Sequence, residues 1–497
     1  MFSPVRAIGI QLGPTNSRIA CVDDTGRPAI VANKEGENIT PSVVEVRGEG
    51  QIEVGSEPRK NLFLSSNCAG RFKRNMGTSK TYEFFGQSYT PTDLSAFVLK
   101  KLVQDTQSVV GSIDGVVVSI PANFSNEARD ATIAAASSAG LEIEFIVNEP
   151  TAAALYYAYK SDNELSGTYA VYDLGGGTFD ISIIRVENQD IEVLAAGGVN
   201  KCGGDDFDRA LLSLIQEKYK TVTGETLAET DFTVNDAEEE KKSLSKREKI
   251  TVRVLRENIE VTRSEFEEVI SSLISQARLA TEATIDEVDL PVADLTGVFL
   301  VGGSTRIPAV QQSVRSIFGK DPISTANVDE VVALGAAVYA AYKGDRSKLN
   351  AIQKKSIEKI EVAERTAMCF GTIVLDAQAQ ERYNAIIIKK NEKLPCSHTE
   401  SYYTVSDGQE SVRLTVTESR AEERDPTFVK ILKEGSLNLP SGREAGQEIK
   451  VTFSFDLNQV MGCKFVDVAS GREQEFKISA AQSGGAVDSD IDKFTVE

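Results

Sequence analysis

The sequence predicts an α/β domain over residues 1–345, followed by an all-β domain over residues 366–480. In the first part, strand-like runs such as GVVVSIP (115–121) alternate with helix-like runs such as SNEARDATIAAASSAG (125–140), a pattern typical of sheets covered by helices. From Thr366 onward the runs become short and β-rich, as in SVRLTVT and EIKVTFSF, and turn signals such as SDG and LPSG separate them. These runs predict a compact antiparallel β-domain.

Two further segments lie outside these domains. Residues 346–365 are polar and lysine-rich and are expected to form a linker. Residues 481–497 are small and acidic, and we expect a tail there rather than part of a core. Within the first domain, DAEEEKKSLSKREKI (236–250) predicts a charged helix with a solvated face.

Composition excludes several classes of function. A formal charge of −20 repels phosphate, so neither nucleic acid nor an anionic membrane is expected as a direct partner. The six cysteines form no CxxC pair, which argues against a zinc site or disulfides and for a reducing compartment. The single histidine, His398, cannot by itself supply a metal site or a Ser/His triad. MFSPVRAIG lacks a signal-peptide core, and no run reaches membrane-spanning length, so a cytoplasmic location is expected.

Three glycine-containing turns each follow a strand-like run: QLGPTNS (11–17), DLGGGTFD (173–180) and LVGGSTRIP (300–308). Glycine lets backbone N–H groups approach phosphate oxygens, since no Cβ intervenes. A carboxylate beside such a turn, such as Asp173, can hold the waters of a Mg²⁺ ion. One glycine-rich turn alone is as readily a tight hairpin. Three of them at strand ends predict a polyphosphate site.

Longer motifs resemble the seventy-kilodalton heat-shock, or DnaK, chaperone family over nearly the whole chain up to about residue 480. The segments that carry this resemblance are IPANFSNEARDAT (120–132), NEPTAAALYYA (148–158), DLGGGTFDISI (173–183), GGDDFD (203–208), TRSEFEE (262–268), FLVGGSTRIPAVQ (299–311) and VDEVVALGAAVYAA (328–341).

The resemblance implies an actin-like, two-lobed nucleotide-binding domain over 1–345, a peptide-binding-type sandwich over 366–480, and bound ATP or ADP with Mg²⁺. Glu149, Asp173 and Thr178 resemble the family's catalytic residues, and Gln11 and Asp173 would hold Mg²⁺ through waters. The positions that match nucleotide-binding residues of the family are Gly13, Pro14, Thr15, Asn16, Gly175, Gly176, Gly177, Thr178, Gly203, Gly204, Glu238, Lys241, Lys242, Ser245, Gly302, Gly303, Ser304, Arg306 and Asp329.

Two parts of this set have distinct expected roles. Glu238, Lys241, Lys242 and Ser245 have a spacing that places them along one face of a helix, and they resemble a clamp around the adenosine. Pro121 and Arg129 resemble residues that couple the nucleotide site to the peptide domain, and Glu149 resembles the acid that links nucleotide state to domain motion.

The departures from the family pattern concern hydrolysis. Gln11 stands where family members usually carry aspartate, and an amide brings no charge to Mg²⁺. Pro14 replaces a threonine and so removes a backbone N–H and a hydroxyl. In VGSEPRKN (54–61), Arg59 falls where the family has a lysine that assists catalysis, unless a one-residue shift brings Lys60 there. We therefore expect nucleotide binding with very slow or absent hydrolysis.

Coupling to partners also departs from the pattern. Phe145 replaces an arginine on the surface that meets J-domain cochaperones, and SKLNAIQKKSIEKIEV replaces the short leucine-rich linker. In the β-domain, the positions that align with the peptide groove are Thr372, Leu375, Tyr402, Val405, Val412 and Leu414. Only residues 479–497 follow Ile478, so we expect no helical lid and weak or no client binding.

Two functional hypotheses remain open. One is a co-chaperone subunit that binds but hardly hydrolyses ATP, resembling lidless relatives that pair with a J-protein at the eukaryotic ribosome. The other is a weak, lidless chaperone that binds unfolded peptides under nucleotide control. A sugar or acetate kinase on the same fold is disfavoured because such enzymes have no need of the appended β-domain.

Overall fold

The computed structural model describes residues 6–48, 50–62, 64–141, 143–161, 165–187, 190–324, 327–357, 366, 368–376, 381–390, 392–456, 460–478 and 494–497. The chain divides into two compact units. The first comprises Met1–Glu361 together with Val487–Glu497, and the second comprises Val362–Ala486. The first unit therefore contains both ends of the sequence.

In the part of the first unit that precedes the second unit, the described residues form the following strands. They are β1 (Arg6–Gln11), β2 (Asn16–Val22), β3 (Pro28–Val31), β4 (Thr40–Pro41), β5 (Val43–Gly48), β6 (Gln51–Val54), β7 (Cys68–Gly70), β8 (Tyr82–Phe84), β9 (Gln87–Tyr89), β10 (Ile113–Ile120), β11 (Ile143–Asn148), β12 (Gly167–Leu174), β13 (Phe179–Glu187), β14 (Asp190–Val199), β15 (Lys249–Val254), β16 (Glu257–Thr262) and β17 (Gly297–Val301).

The α-helices of this unit are α1 (Ser56–Asn61), α2 (Pro91–Val110), α3 (Asn126–Ser138), α4 (Glu149–Lys160), α5 (Gly204–Thr223), α6 (Val234–Leu244), α7 (Arg263–Val269), α8 (Ser271–Asp286), α9 (Pro308–Phe318), α10 (Val331–Lys343) and α11 (Ala351–Ile357). Short 3-10 helices span Phe72–Asn75, Val292–Asp294, Gly303–Arg306 and Arg346–Lys348. Sequence signals set several of these ends. Thr90 and Asp93 form a capping box at the start of α2, and Gly224 ends α5 in the left-handed conformation.

Two sheets organise the lobes of this unit. The first has the order β11–β10–β1–β2–β3, with β4 beside β2, and β1 runs parallel to β10 but antiparallel to β2. The second has the order β14–β13–β12–β17, with β12 parallel to β17. Each sheet contributes to its own cluster of buried apolar side chains. The turns β1–β2 and β12–β13 are therefore equivalent hairpins in the two lobes, as the repeated glycine motif suggested.

The second unit consists of two four-stranded antiparallel sheets. Its strands are β18 (Cys369–Asp376), β19 (Glu381–Ile388), β20 (Cys396–Tyr403), β21 (Ser411–Ser419), β22 (Lys430–Asn438), β23 (Glu448–Phe455), β24 (Met461–Asp467) and β25 (Glu473–Ile478). The sheet orders are β19–β18–β21–β22 and β20–β23–β24–β25. Alternate residues of β23 and β24 are buried, and they form one core with residues of the other sheet. The predicted fold class, α/β followed by a β-sandwich, is confirmed.

Parts of the segments expected to form the linker and the tail contact the first unit. Within 346–365, α11 packs on the first unit, where Gln353 Nε2 donates hydrogen bonds of 3.1 Å to Val22 O and Asp23 O, and Ile357 is buried. At the end of the chain, β26 (Thr495–Val496) pairs with β6. Alternation of apolar and polar residues in FTVE explains this strand, although the acidic stretch before it masks the signal. Residues 358–365 and 481–493 lie outside the described residues.

Candidate functional site

The glycine turns of the two lobes lie directly against each other. A Cβ on Gly176 would sit 2.4 Å from Thr15 Oγ1, and one on Gly177 would sit 2.9 Å from Pro14 Cγ. The first turn is itself fixed by Gly13, whose N–H donates to Ser17 Oγ at 3.2 Å. Only glycine in the second turn allows this approach. The structure thus brings the two predicted phosphate loops together.

A third loop joins them at the start of α5. Gly204 N donates to Gly175 O at 3.0 Å, and Asp205 N donates to Gly176 O at 2.7 Å. A Cβ on Gly203 would lie 2.8 Å from backbone atoms of Gly176 and Gly177. The N-terminus of the 20-residue helix α5 therefore meets the second glycine loop. Helix N-termini favour anions, which suits this junction to phosphate.

The turn after β17 closes another side of the same site. Ser304 Oγ donates to Gly175 O at 2.9 Å, so this turn is tied to the second loop. Gly302 has a φ of 83°, and a Cβ on Gly303 would lie 2.5 Å from Asp329 Oδ1. Arg306 Nη2 and Asp329 Oδ2 are 2.9 Å apart. The predicted residues of this wall are therefore mutual neighbours.

The expected adenosine clamp lies along α6. Lys241 Nζ donates to Gly204 O at 3.0 Å and pairs with Asp208 Oδ1 at 2.7 Å. Lys242 pairs with Glu238 at 3.1 Å, and Ser245 Oγ donates to Lys241 O at 3.0 Å. Burial raises the pKa of Asp208 to about 7, which the nearby Lys241 only partly offsets. The lysine thus connects α6 to the start of α5.

A buried acidic cluster lies behind the second loop. Asp173 and Asp180 face each other in register across β12 and β13. Burial, with help from the charge of Glu149, raises the pKa of Asp173 well above its usual range and that of Asp180 to about 6. Asn123 Nδ2 donates to Asp180 Oδ1 at 2.9 Å, and the Thr178 side chain also bonds to this carboxyl group. These carboxyl groups can accept a cation or the hydrogen bonds of bound water.

One lysine enters this acidic cluster, and it is Lys73. Its Nζ lies 3.0 Å from Glu149 Oε1, and both side chains are largely buried. Arg59, which sequence comparison placed at the assisting lysine, pairs instead with Glu238, and its Nη1 lies 3.3 Å from Asn16 Oδ1. Lys60 pairs with Glu57 on the exposed face of α1. Lys73 is therefore the lysine beside Glu149, while Arg59 lines the cleft next to Glu238.

Sequence reasoning missed further polar residues of the cleft. Lys73 lies in a 3-10 helix, Phe72–Asn75, that has no glycine signature. Arg71 pairs with Asp205, and Arg74 donates to Gly177 O. Asp180 could have been found from the sequence. In the hairpin of β12 and β13, the residue opposite Asp173 across the tight turn is Asp180. No comparable pattern marked the two arginines.

The residues present fit a nucleotide. Gln11 Oε1, Thr15 Oγ1 and Arg74 Nε are buried and have no hydrogen-bond partner among the described residues. Thr15 and Arg74 both adjoin the second glycine loop, where phosphate oxygens would accept their hydrogen bonds. Within the described ranges, no group of three His, Cys, Asp or Glu side chains is close enough to hold a metal ion directly. Coordination of Mg²⁺ through waters by Gln11 and Asp173 stays a prediction.

Of the expected coupling residues, Pro121 and Glu149 adjoin the acidic cluster. Pro121, Glu149, Pro150, Asp173 and Asp180 line one small cavity. Arg129 is buried on α3. The Phe145 ring packs edge-on against Tyr339 with centroids 6.5 Å apart. Pro121 therefore shares a cavity with the acids, and a coupling role for Pro121 and Arg129 stays a prediction.

In the second unit, the six predicted groove residues surround a single cavity of about 490 Å³. They are Thr372, Leu375, Tyr402, Val405, Val412 and Leu414. Thr372 and Thr415 share a hydrogen bond of 3.3 Å at its buried base. Leu375 and Val405 are exposed at its rim. An opening with an apolar rim and some polar groups suits an extended peptide.

No helix among the described residues is long and apolar enough to cross a membrane.

A comparison with protein families finds that the family model described as Hsp70 protein matches residues 7–497. The match covers both units and every loop of the cleft. The chain therefore belongs to the Hsp70 protein family.

Proposed function

We propose that this Hsp70-family protein binds ATP or ADP in the cleft of its first unit, hydrolyses ATP very slowly or not at all, and acts as a non-standard chaperone or co-chaperone subunit in protein folding. Family membership makes it a chaperone-type ATP-binding protein. The observation that carries the finer proposal is the contrast between interlocked glycine loops and the neutral Gln11, whose buried Oε1 has no partner among the described side chains.

Binding is supported by the contacts among the loops. Gly204 N donates to Gly175 O and Asp205 N donates to Gly176 O, and these backbone hydrogen bonds do not depend on ligand. Such a cradle is organised before phosphate arrives, so little ordering is needed on binding. Thr15 Oγ1 and Arg74 Nε have no hydrogen-bond partner among the described residues. Both are therefore available to donate hydrogen bonds to phosphate from the side opposite this cradle.

Slow hydrolysis is supported by three positions. At residue 11 a carboxamide contributes no negative charge, so Mg²⁺ with its waters would be held less firmly than by a carboxylate. At residue 14 proline cannot donate a backbone N–H to phosphate. Loss of one transition-state contact commonly lowers a rate about 10²- to 10³-fold. A third position, Arg59, lines the cleft where the family has a lysine, and its planar guanidinium is no equivalent of a lysine ammonium.

The proposed partner is inferred from the partners of the Hsp70 family. Proteins of the Hsp70 family bind unfolded peptides and J-protein partners. The departures at Phe145 and in residues 346–365 support a partner other than an ordinary stimulating J-domain. We propose a cytoplasmic J-protein-type partner or another chaperone, with the ribosome as the place of assembly.

A second candidate function, a chaperone that binds peptide directly, is favoured by the cavity of the second unit. All six aligned groove residues contribute to its lining. Two measurements separate the candidates: the affinity of the chain for an unfolded peptide, and its capture of a J-protein-type partner or another chaperone.

Calorimetry of ATP binding with and without Mg²⁺, followed by single-turnover hydrolysis, tests the proposal. Binding is expected in both titrations, with only a modest gain from Mg²⁺. Failure to bind nucleotide, or turnover at the rate of an active family member, would overturn it.

A further inference from the structure

Residues 494–497 form a strand that completes a sheet of the nucleotide-binding unit. The sheet has the order β26–β6–β5–β7, so β26 occupies its edge. Pairing with β6 is parallel, with Thr495 opposite Gln51 and Val496 opposite Ile52. Three backbone hydrogen bonds hold it: Thr495 N to Gly50 O at 2.9 Å, Glu497 N to Ile52 O at 3.0 Å, and Val54 N to Glu497 O at 2.9 Å.

The side chains of this strand alternate between exposed and buried. Val496 is buried in the core of the first lobe, whereas Thr495 and Glu497 are exposed. The Phe494 ring packs edge-on against Phe97 and Tyr89, with centroid distances of 5.2 and 6.3 Å. Specificity thus comes from an aromatic and a branched apolar side chain two residues apart, and affinity from the backbone.

We infer that the edge of β6, together with Tyr89 and Phe97 beside it, is a strand-acceptor site for an extended Phe-x-Val segment, and that the chain's own residues 494–497 fill it. An open strand edge can pair with an extended segment of another chain. A strand from the same chain that occupies the edge prevents this pairing.

Covalent attachment keeps the site filled. A tethered segment competes at an effective concentration of about a millimolar, so a free peptide at micromolar concentration does not displace it. Removal of the segment from the chain should therefore make the site available to a peptide of the same sequence.

The first test uses the full chain ended before Phe494 and a fluorescent peptide, DKFTVE, with the sequence of residues 492–497. Anisotropy should show saturable binding to the shortened chain and at least tenfold weaker binding to the unmodified chain. A peptide with Asp at the positions of Phe494 and Val496 is the control and should not bind. Equal binding to both chains, or no binding to a shortened chain that still binds ATP, would overturn the inference.

A second test does not depend on the shortened chain folding. Thr495→Pro removes the N–H that bonds to Gly50 O while the altered side chain remains exposed. Hydrogen exchange at the Val54 amide should become at least tenfold faster than in Thr495→Ala, which keeps the backbone donor. Identical exchange at Val54 in the two variants would show that the strand is not docked in solution.

Discussion

Lys73 Nζ lies 3.0 Å from Glu149 Oε1, and the two side chains are only 4% and 11% exposed. This ion pair joins the 3-10 helix after β7 to the first turn of α4, in the acidic cluster of the cleft. A buried charge that loses its partner is costly, whereas exposed pairs contribute little. The pair therefore gives a direct way to separate the roles of Lys73 and Arg59.

Lys73→Met should lower the free energy of unfolding by about 3–5 kcal/mol, because it leaves Glu149 buried without its cation. Arg59→Met should lower it by less than about 1 kcal/mol, since its partner Glu238 keeps a second cation, Lys242, at 3.1 Å. Urea unfolding of the nucleotide-free chain, followed by far-UV circular dichroism because the chain has no tryptophan, measures both. Equal losses of unfolding free energy in the two variants would contradict the greater importance of the Lys73–Glu149 pair.

Arg59 is expected to influence nucleotide release instead. Its pair with Glu238 connects α1 to α6 across the cleft, so Arg59→Met should speed dissociation of a fluorescent ATP analogue about two- to fivefold. Added salt should reduce the difference. Lys60→Met is the matched control, because Lys60 pairs with Glu57 on the same helix, and the dissociation rate of this variant should equal that of the wild type.

Asp180 should couple stability to pH. Burial holds its pKa at about 6, above the value of about 3.9 in an unfolded chain, so the folded state binds the proton more tightly. Its contribution to stability is therefore present at low pH and is lost as pH rises from about 4 to about 6. Relative to Asp180→Asn, the nucleotide-free wild type should lose stability over this interval. Thermal unfolding at several pH values measures the difference, and Asp321→Asn, at an exposed site, should show no such trend.

Two glycines of the phosphate loops should differ in tolerance to alanine. Gly203→Ala places a methyl group 2.8 Å from the backbone of Gly176 and Gly177, and should destabilise the nucleotide-free chain by about 1–3 kcal/mol. Gly175→Ala has its nearest neighbour, Thr178 O, at 3.8 Å and should leave stability unchanged. Thermal unfolding without nucleotide compares them. Similar melting temperatures would argue against the close approach of the loops.

Peptide binding in the second unit can be tested with another matched pair. Val405 and Val468 are similarly exposed, but only Val405 lines the cavity. If an apolar peptide occupies the cavity, Val405→Asp should weaken its binding at least tenfold, and Val468→Asp should not change it. Anisotropy with a labelled apolar heptapeptide provides the measurement. Unchanged affinity in Val405→Asp would remove the cavity as the binding site.

Sequence alone predicted the fold class and most of the cleft because glycine turns and strand patterns are local signals. Gly176, Gly203 and Ser304 were identified in this way, and the structure places them in contact. Asp180 was overlooked although its register opposite Asp173 follows from the hairpin.

The remaining differences depend on contacts between distant segments. Lys73 meets Glu149 across 76 positions of sequence, and no local pattern reveals such a pair. The strand at Thr495–Val496 is two residues long and follows an acidic stretch, so its pairing with β6 could not be read from periodicity. Arg59 lines the cleft beside Pro14 and Glu238, and its catalytic role stays a prediction.

The central claim is that this cleft holds ATP but lacks groups needed for fast hydrolysis. Single-turnover hydrolysis of ATP with Mg²⁺, compared between the unmodified chain and Gln11→Asp with Pro14→Thr, tests it most directly. We predict tight binding by both chains and a rate at least about a hundredfold higher in the double variant. A third variant that adds Lys73→Met should lose this gain. Rapid hydrolysis by the unmodified chain would contradict the account.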